Sequence, residues 1–227
     1  MYIALMVLLI NLGFWQLQRA EQKRAYLAQQ AQVMAAEKLV IDANTTEELA
    51  ALKFHPVSVT GEFDAAHQFL LDNQHVNGKV GYYVLTPLRL SSGQTLLVNR
   101  GWVPLNVDRK IKPDVSLQQK QVTLSGRVNS FPGVGIKIAG AEIPSADWPA
   151  VVQLVDTKVL AKVLQTELLD YQVEMDAAAD EGYVRNWTIP VEISPEKHVA
   201  YALQWFGLAL TLTLLFLWTI IKKPINE

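Results

Sequence analysis

The sequence predicts two transmembrane helices flanking an extracytoplasmic α+β domain that is mostly antiparallel β. Three observations carry that prediction. Long apolar runs lie near both ends of the chain, β-branched residues alternate between them, and short turn-forming stretches separate the alternating segments. Hydrophobic residues make up 50% of the 227 residues, with the excess at the two ends.

The first apolar run is "YIALMVLLINLGFWQL", Tyr2 to Leu17. As a helix it reaches roughly 24 Å, somewhat short for a bilayer core. A cleaved signal peptide needs a basic start and small residues at a cleavage site. This run begins Met1-Tyr2-Ile3 and leads into Trp15, Gln16, Gln18 and Arg19, so it reads as an uncleaved anchor. The short span without a basic flank also suggests that residues precede Met1 in the full protein. The second run, Val199 to Ile221, carries no charge and spans roughly 34 Å. Lys222 and Lys223 follow it at once, which puts the C-terminus in the cytoplasm. Two spans then return the N-terminus to the cytoplasm and leave 18–197 outside. Arg19, Lys23 and Arg24 fall on the outer side, against a simple positive-inside count.

The resulting organisation is a transmembrane helix over 1–17, a helical linker over 18–56 and a β-rich domain over 57–193. A helix start at 194–198, a second transmembrane helix over 199–221 and a tail over 222–227 complete it. Residues 18–40 are rich in Ala, Gln, Glu and Lys, so the first helix continues out of the membrane and frays before "DANTTEEL". "PVSVTGEF", "HQFLLDNQ", "YYVLTPLRL", "TLLVNRGWVP", "KQVTLSGRVNS" and "AVVQLVD" read as strands. "HVNGKVG" and "SSGQ" supply turns, the latter closing a hairpin. "TKVLAKVLQTELL" has helical spacing, with Thr157 as its expected cap. "YQVEMD" and "GYVRNWTIPVEI" close the domain around a turn at 180–182. Short connections imply antiparallel neighbours.

A formal charge of −2 and a pI near 6.1 give no electrostatic case for nucleic acid. No cysteine is present, which removes disulfides, thiolate metal sites and C-x-x-C-H haem attachment. G-x-S-x-G, H-E-x-x-H and Walker A patterns are missing, and no carboxylate pair is spaced for acid–base work, so the chain does not read as an enzyme. "GVGIKIAG" is a plain loop, because isoleucine follows its lysine. His55, His67 and His75 lack ligand spacing and read as turn or surface histidines. "NTT" and "NWT" match the glycosylation sequon.

"LVNRGWVP" offers two readings. Asn99, Arg100, Gly101 and Trp102 form either a strand end with a solvated or carboxylate-paired arginine, or a recognition patch for a partner protein or a carboxylate. Gly101 permits a bulge there. The entrance to the second span also offers two. Ser194, Pro195 and Glu196 mark a helix start, and His198 falls in its first turn. Tyr201, Ala202, Trp205, Leu208 and Ala209 follow at helical spacing. Either Tyr201 and Trp205 form an interfacial belt beside a wet histidine, or a flat macrocycle lies on this stripe with His198 ligating its iron. Gly13, Trp15, Gln16 and Arg19 stand at the matching edge of the first span, where the two edges would flank one site.

Three stretches together resemble the surfeit locus protein 1 family of cytochrome c oxidase assembly factors: "LGFWQLQRAEQK", "LVNRGWVP" and "KHVAYALQWFGLA". "VTGEF" and "GYYVLTPL" fit the intervening pattern, so the resemblance covers nearly the whole chain. It implies a two-span inner-membrane protein with a periplasmic or intermembrane-space domain. It implies a role in maturing oxidase subunit I by accepting or stabilising haem A, with subunit I and haem A synthase as partners. His198 matches the position implicated in haem binding, with Trp205 as a further lining residue; Tyr201 and Trp15 join the candidate site from their places at the two span edges. Without a mitochondrial presequence, a bacterial protein is expected. A protein-only scaffold, with His198 incidental, and an anchored periplasmic enzyme are the alternatives.

Overall fold

The apolar N-terminal run and its Ala/Gln-rich continuation share good helix formers, and no proline or glycine after Gly13 interrupts them. In the structure, a computed structural model describing residues 1–41, 52–133, 135, 138–179, 182–189 and 191–222, they form one helix, α1 (Tyr2–Met34). The second apolar run forms helix α3 (Pro195–Ile221). Its start is as expected: Ser194 is the N-cap, its hydroxyl oxygen accepting from the Lys197 amide, with Pro195 in the first turn. Both helices are long and apolar enough to cross a membrane.

The chain divides into two compact units. One holds Met1–Gln32 and the chain from Ile189 onward; the other is Val33–Thr188. In the helical unit, α1 turns Leu9, Gly13 and Ala20 inward, while α3 turns in Pro195, His198, Ala202 and Ala209. These positions are three, four or seven residues apart, the spacing of a coiled-coil seam. The helices run antiparallel: Tyr2 stacks on Phe216 at 4.0 Å, and its hydroxyl lies 3.2 Å from Thr213 Oγ1.

The other unit is a mixed sheet with one helix, α2 (Thr157–Leu164). Its eight strands are β1 (Leu39–Ile41), β2 (Pro56–Phe63), β3 (Phe69–Val76), β4 (Lys79–Arg89), β5 (Thr95–Pro104), β6 (Gln121–Asn129), β7 (Ala150–Val152) and β8 (Leu168–Met175). The order is β1-β2-β6-β8-β5-β4-β3-β7, and β2 also pairs with β4. That extra pairing closes β2, β6, β8, β5 and β4 into a ring. Val57, Val59, Leu96, Val98, Val128 and Val173 help fill its interior. A second cluster packs Leu160 of α2 with Phe69, Leu71, Leu85 and Leu97.

Most pairs are antiparallel, as the short turns imply. Asn77 and Gly78 both take positive φ in the β3–β4 turn, the demand of a tight hairpin. Three pairs are parallel: β1 with β2, β3 with β7, and β5 with β8. Long connections bring the chain back beside earlier strands, which local turn reading does not reveal. Further corrections follow. Strand β1 lies inside the expected helical linker. Asp156, not Thr157, caps α2; its carboxylate accepts from the amides of Lys158 and Val159. The "ELL" of the expected helix contributes Leu168 and Leu169 to β8. "GYVRNWTIPVEI" contributes a single bridge, Val184 to Trp102, rather than a strand. The "DANTTEEL" stretch with its sequon, Asp180 and Glu181 of the 180–182 turn, most of "VGIK" and Lys223 lie outside the described residues.

Candidate functional site

His198 enters the helical unit through the capped first turn of α3, at a seam position facing α1. Its side chain is 6% exposed. The Nδ1 atom lies 2.6 Å from Oε1 of Gln16, a seam residue of α1. Close approach is built in at the same level. Gly13 sits one turn away on α1, and a Cβ there would run into the Phe206 ring. Ala202 follows one turn along α3 and is buried. Small residues let the two backbones close until a glutamine and a histidine meet directly.

The other ring nitrogen, Nε2, has no hydrogen-bond partner among the described residues. The sealed side-chain atoms without partners among those residues are Glu142 Oε2, Arg185 Nε and Arg185 Nη1, so His198 Nε2 is not enclosed. One ring nitrogen is thus engaged, and the other is unpartnered among the described residues without being sealed. An unprotonated Nε2 in this position is a ligand or acceptor atom held by a bond on the opposite nitrogen.

The aromatic stripe divides. Ala202 and Ala209 face α1, whereas Tyr201 is 43% exposed and Trp205 is half-buried between them. Trp15 is 46% exposed on α1 and lies under the Arg19 guanidinium at 5.6 Å. Gln16 rather than Trp15 meets His198. Successive helical residues point about 100° apart, so Trp15 and Gln16 take different faces. An imidazole donor beside Tyr201 and Trp205 fits the chemistry of a flat metal macrocycle, with nitrogen for the metal and aromatic surface for the ring.

Within the β domain, "LVNRGWVP" is interior. Asn99 and Arg100 are 1% and 2% exposed, and Trp102 is buried as well. Of the two readings of Asn99, Arg100, Gly101 and Trp102, the recognition patch needs them at the surface, and the fold buries them. Strand β5 lies between β4 and β8, so its polar residues serve internal bonds. Arg100 Nη1 donates to Gln68 Oε1 and to the Val115 carbonyl, both at 3.1 Å, and its guanidinium lies over the Tyr183 ring. Asn99 Nδ2 donates to Gln172 Oε1, and Trp102 Nε1 donates to the Gln74 carbonyl. Arg100 and Gly101 oppose the single residue Val84, which is the expected bulge, and Gly101 takes φ +117°.

Sequence reading missed a second polar cluster. Arg127 Nε donates to Glu174 Oε2 at 2.6 Å, and Asn129 Nδ2 donates to Glu174 Oε1 at 2.7 Å. Both charges are more than nine-tenths buried, at the edge of a cleft of about 370 Å³ with Phe54 and Trp187 in its wall. Arg127 and Glu174 lie on β6 and β8, adjacent only because the sheet pairs those strands. The only sequence trace is a polar residue interrupting each alternating strand. Of the other histidines, His67 Nδ1 contacts Asp64 Oδ2 at 2.7 Å, and His55 Nδ1 contacts the Pro56 carbonyl at 3.0 Å.

Comparison with known proteins adds an independent result. The SURF1 family pattern matches residues 3–210. A SURF1-like protein of Rickettsia felis is 28% identical over 218 residues, covering 92% of this chain and 90% of that protein. Surfeit locus protein 1 of Gallus gallus is 28% identical, covering 91% of this chain and 69% of its own length. The Arabidopsis thaliana protein of the same name is 27% identical, covering 96% and 76%.

Proposed function

Because this chain belongs to the SURF1 family, we propose that it is a membrane assembly factor for haem–copper cytochrome c oxidase, binding haem A on its way to subunit I. The observation that carries the haem half of the proposal is His198. Its Nδ1 is tied to Gln16 in the helix seam, its Nε2 has no partner among the described residues and is not enclosed, and Tyr201 and Trp205 lie along the same helix. Haem is cargo here. His198 would hold the iron through Nε2, and Tyr201 and Trp205 would offer aromatic surface to the ring. The two spans lie in the inner membrane with both termini cytoplasmic and the β domain periplasmic, and haem A synthase is the upstream partner. The role we propose is cargo handling rather than catalysis, and membership of the SURF1 family supports that reading.

The test is a His198→Ala variant, co-expressed with the enzymes of haem A synthesis and purified in detergent. Loss of the Soret band and of extractable haem A is expected. Unchanged haem content and spectrum would sink the ligand role. Normal haem retention together with failed oxidase assembly would instead support a scaffold role that does not run through His198–iron ligation.

A further inference from the structure

We infer that Gln16 is the positioning residue for His198: its side-chain carbonyl accepts the Nδ1 proton and so presents Nε2 as the open, unprotonated nitrogen. The purpose assigned to this bond rests on the haem reading above, but the bond and the tautomer do not.

The geometry supports the inference at three levels. At the atom level, a 2.6 Å contact between Nδ1 and Oε1 is a short hydrogen bond, and an amide oxygen only accepts, so this amide orientation assigns the proton to Nδ1. Neutral imidazole carries one N–H, so Nε2 keeps its lone pair. At the packing level, both residues occupy the inward seam, where Gly13 and Ala202 bring the helices close. The imidazole therefore cannot swing away without opening the helix pair. At the level of surroundings, Nε2 has no competing partner among the described residues and is not sealed. A histidine ligand commonly donates its second ring N–H to such an acceptor, which fixes ring orientation and raises ligand basicity.

Gln16 is one residue from Trp15, the α1 side chain that the sequence put forward, and its role is different. It acts through His198 from the other helix, so the donor atom exists in usable form only when the two spans are packed.

The reverse amide orientation makes an opposite prediction. A Gln16 N–H pointing at Nδ1 would leave the proton on Nε2 and remove the open donor. The two cases are separable in haem-free protein. The chain has four histidines, so ¹⁵N-histidine labelling in detergent gives a short spectrum in which His198 is identified by its loss in His198→Ala. Wild type is expected to show His198 protonated at Nδ1 and bare at Nε2. Gln16→Leu is expected to shift His198 toward the Nε2–H form, and Gln16→Glu, which keeps an acceptor, to restore Nδ1–H. Titration with haem A, read at the Soret band, should then show affinity lowered about 10–100-fold in Gln16→Leu and recovered in Gln16→Glu.

A wild-type spectrum with Nε2 protonated overturns the inference, and needs no variant to fold. An unchanged tautomer in Gln16→Leu also overturns it. If His198→Ala keeps full haem affinity while the tautomer results stand, the haem reading has failed and the positioning bond survives. If His198→Ala loses haem while Gln16→Leu changes neither tautomer nor affinity, the positioning role alone has failed.

Discussion

Glu174 meets two donors, Arg127 Nε at 2.6 Å and Asn129 Nδ2 at 2.7 Å, with both charges buried. Removing the anion leaves a buried guanidinium uncompensated. Glu174→Ala should therefore lower stability by about 3–5 kcal/mol, read as a fall in the thermal midpoint of the β domain's circular dichroism. The surface pair Asp64–His67 behaves differently. Burial alone would push the Asp64 carboxyl up, but the hydrogen bond and charge of His67, aided by the amides of Ala66 and His67, outweigh it and hold the carboxyl below its usual value. A lowered native value means the carboxylate's contribution is whole above the unfolded value and is lost as pH falls through the native one. His67→Ala should thus cost under about 1 kcal/mol near neutrality, and the gap from wild type should shrink in acid, because His67 is 46% exposed. Denaturant melts at several pH values check both size and sign. Of these pairings only Asp64–His67 lies in local sequence; Arg127 and Glu174 are 47 positions apart.

Among the elements, β5 shows how a motif's meaning depends on its neighbours. A strand ending in Asn-Arg-Gly-Trp reads equally well as a surface rim. Its place between β4 and β8 turns the same residues into internal ties. The Tyr183 amide donates to the Arg100 carbonyl, and Trp102 and Val184 exchange two backbone bonds, stitching the segment after β8 onto the bulge. Gly101 allows this: at φ +117° an added Cβ would lie 2.9 Å from the Val184 carbonyl oxygen. Gly101→Ala should cost about 1–3 kcal/mol from the backbone conformation alone. Faster proteolysis in the 180–190 segment, mapped by mass spectrometry, is the expected sign. The helical elements were more legible. Ser194, Pro195 and the apolar period of α3 announced its start, because caps and amphipathic spacing are local properties. Gln16 was visible at the membrane edge, but its partner was not. Choosing it over Trp15 required knowing the rotation of α1 about its own axis.

For the whole molecule, the absence of cysteine makes topology directly testable. Ser92→Cys, on the exposed β4–β5 turn, and Lys222→Cys, just past α3, would each carry the sole thiol. In spheroplasts a membrane-impermeant maleimide should label the first and spare the second until the membrane is opened. The reverse pattern would overturn the proposed orientation. The sequence by itself determined the two apolar spans, the β-rich character of the domain between them, most strand positions and the family. Each follows from composition, period or motif order, which are readable along the chain. The tertiary structure alone decided the ring closure of β2 on β4, the three parallel pairs, the burial of Arg100 and the meeting of Gln16 with His198. Those depend on residues far apart in sequence coming within a few ångströms. Local propensity carries no term for that distance, and only packing and strand pairing set it.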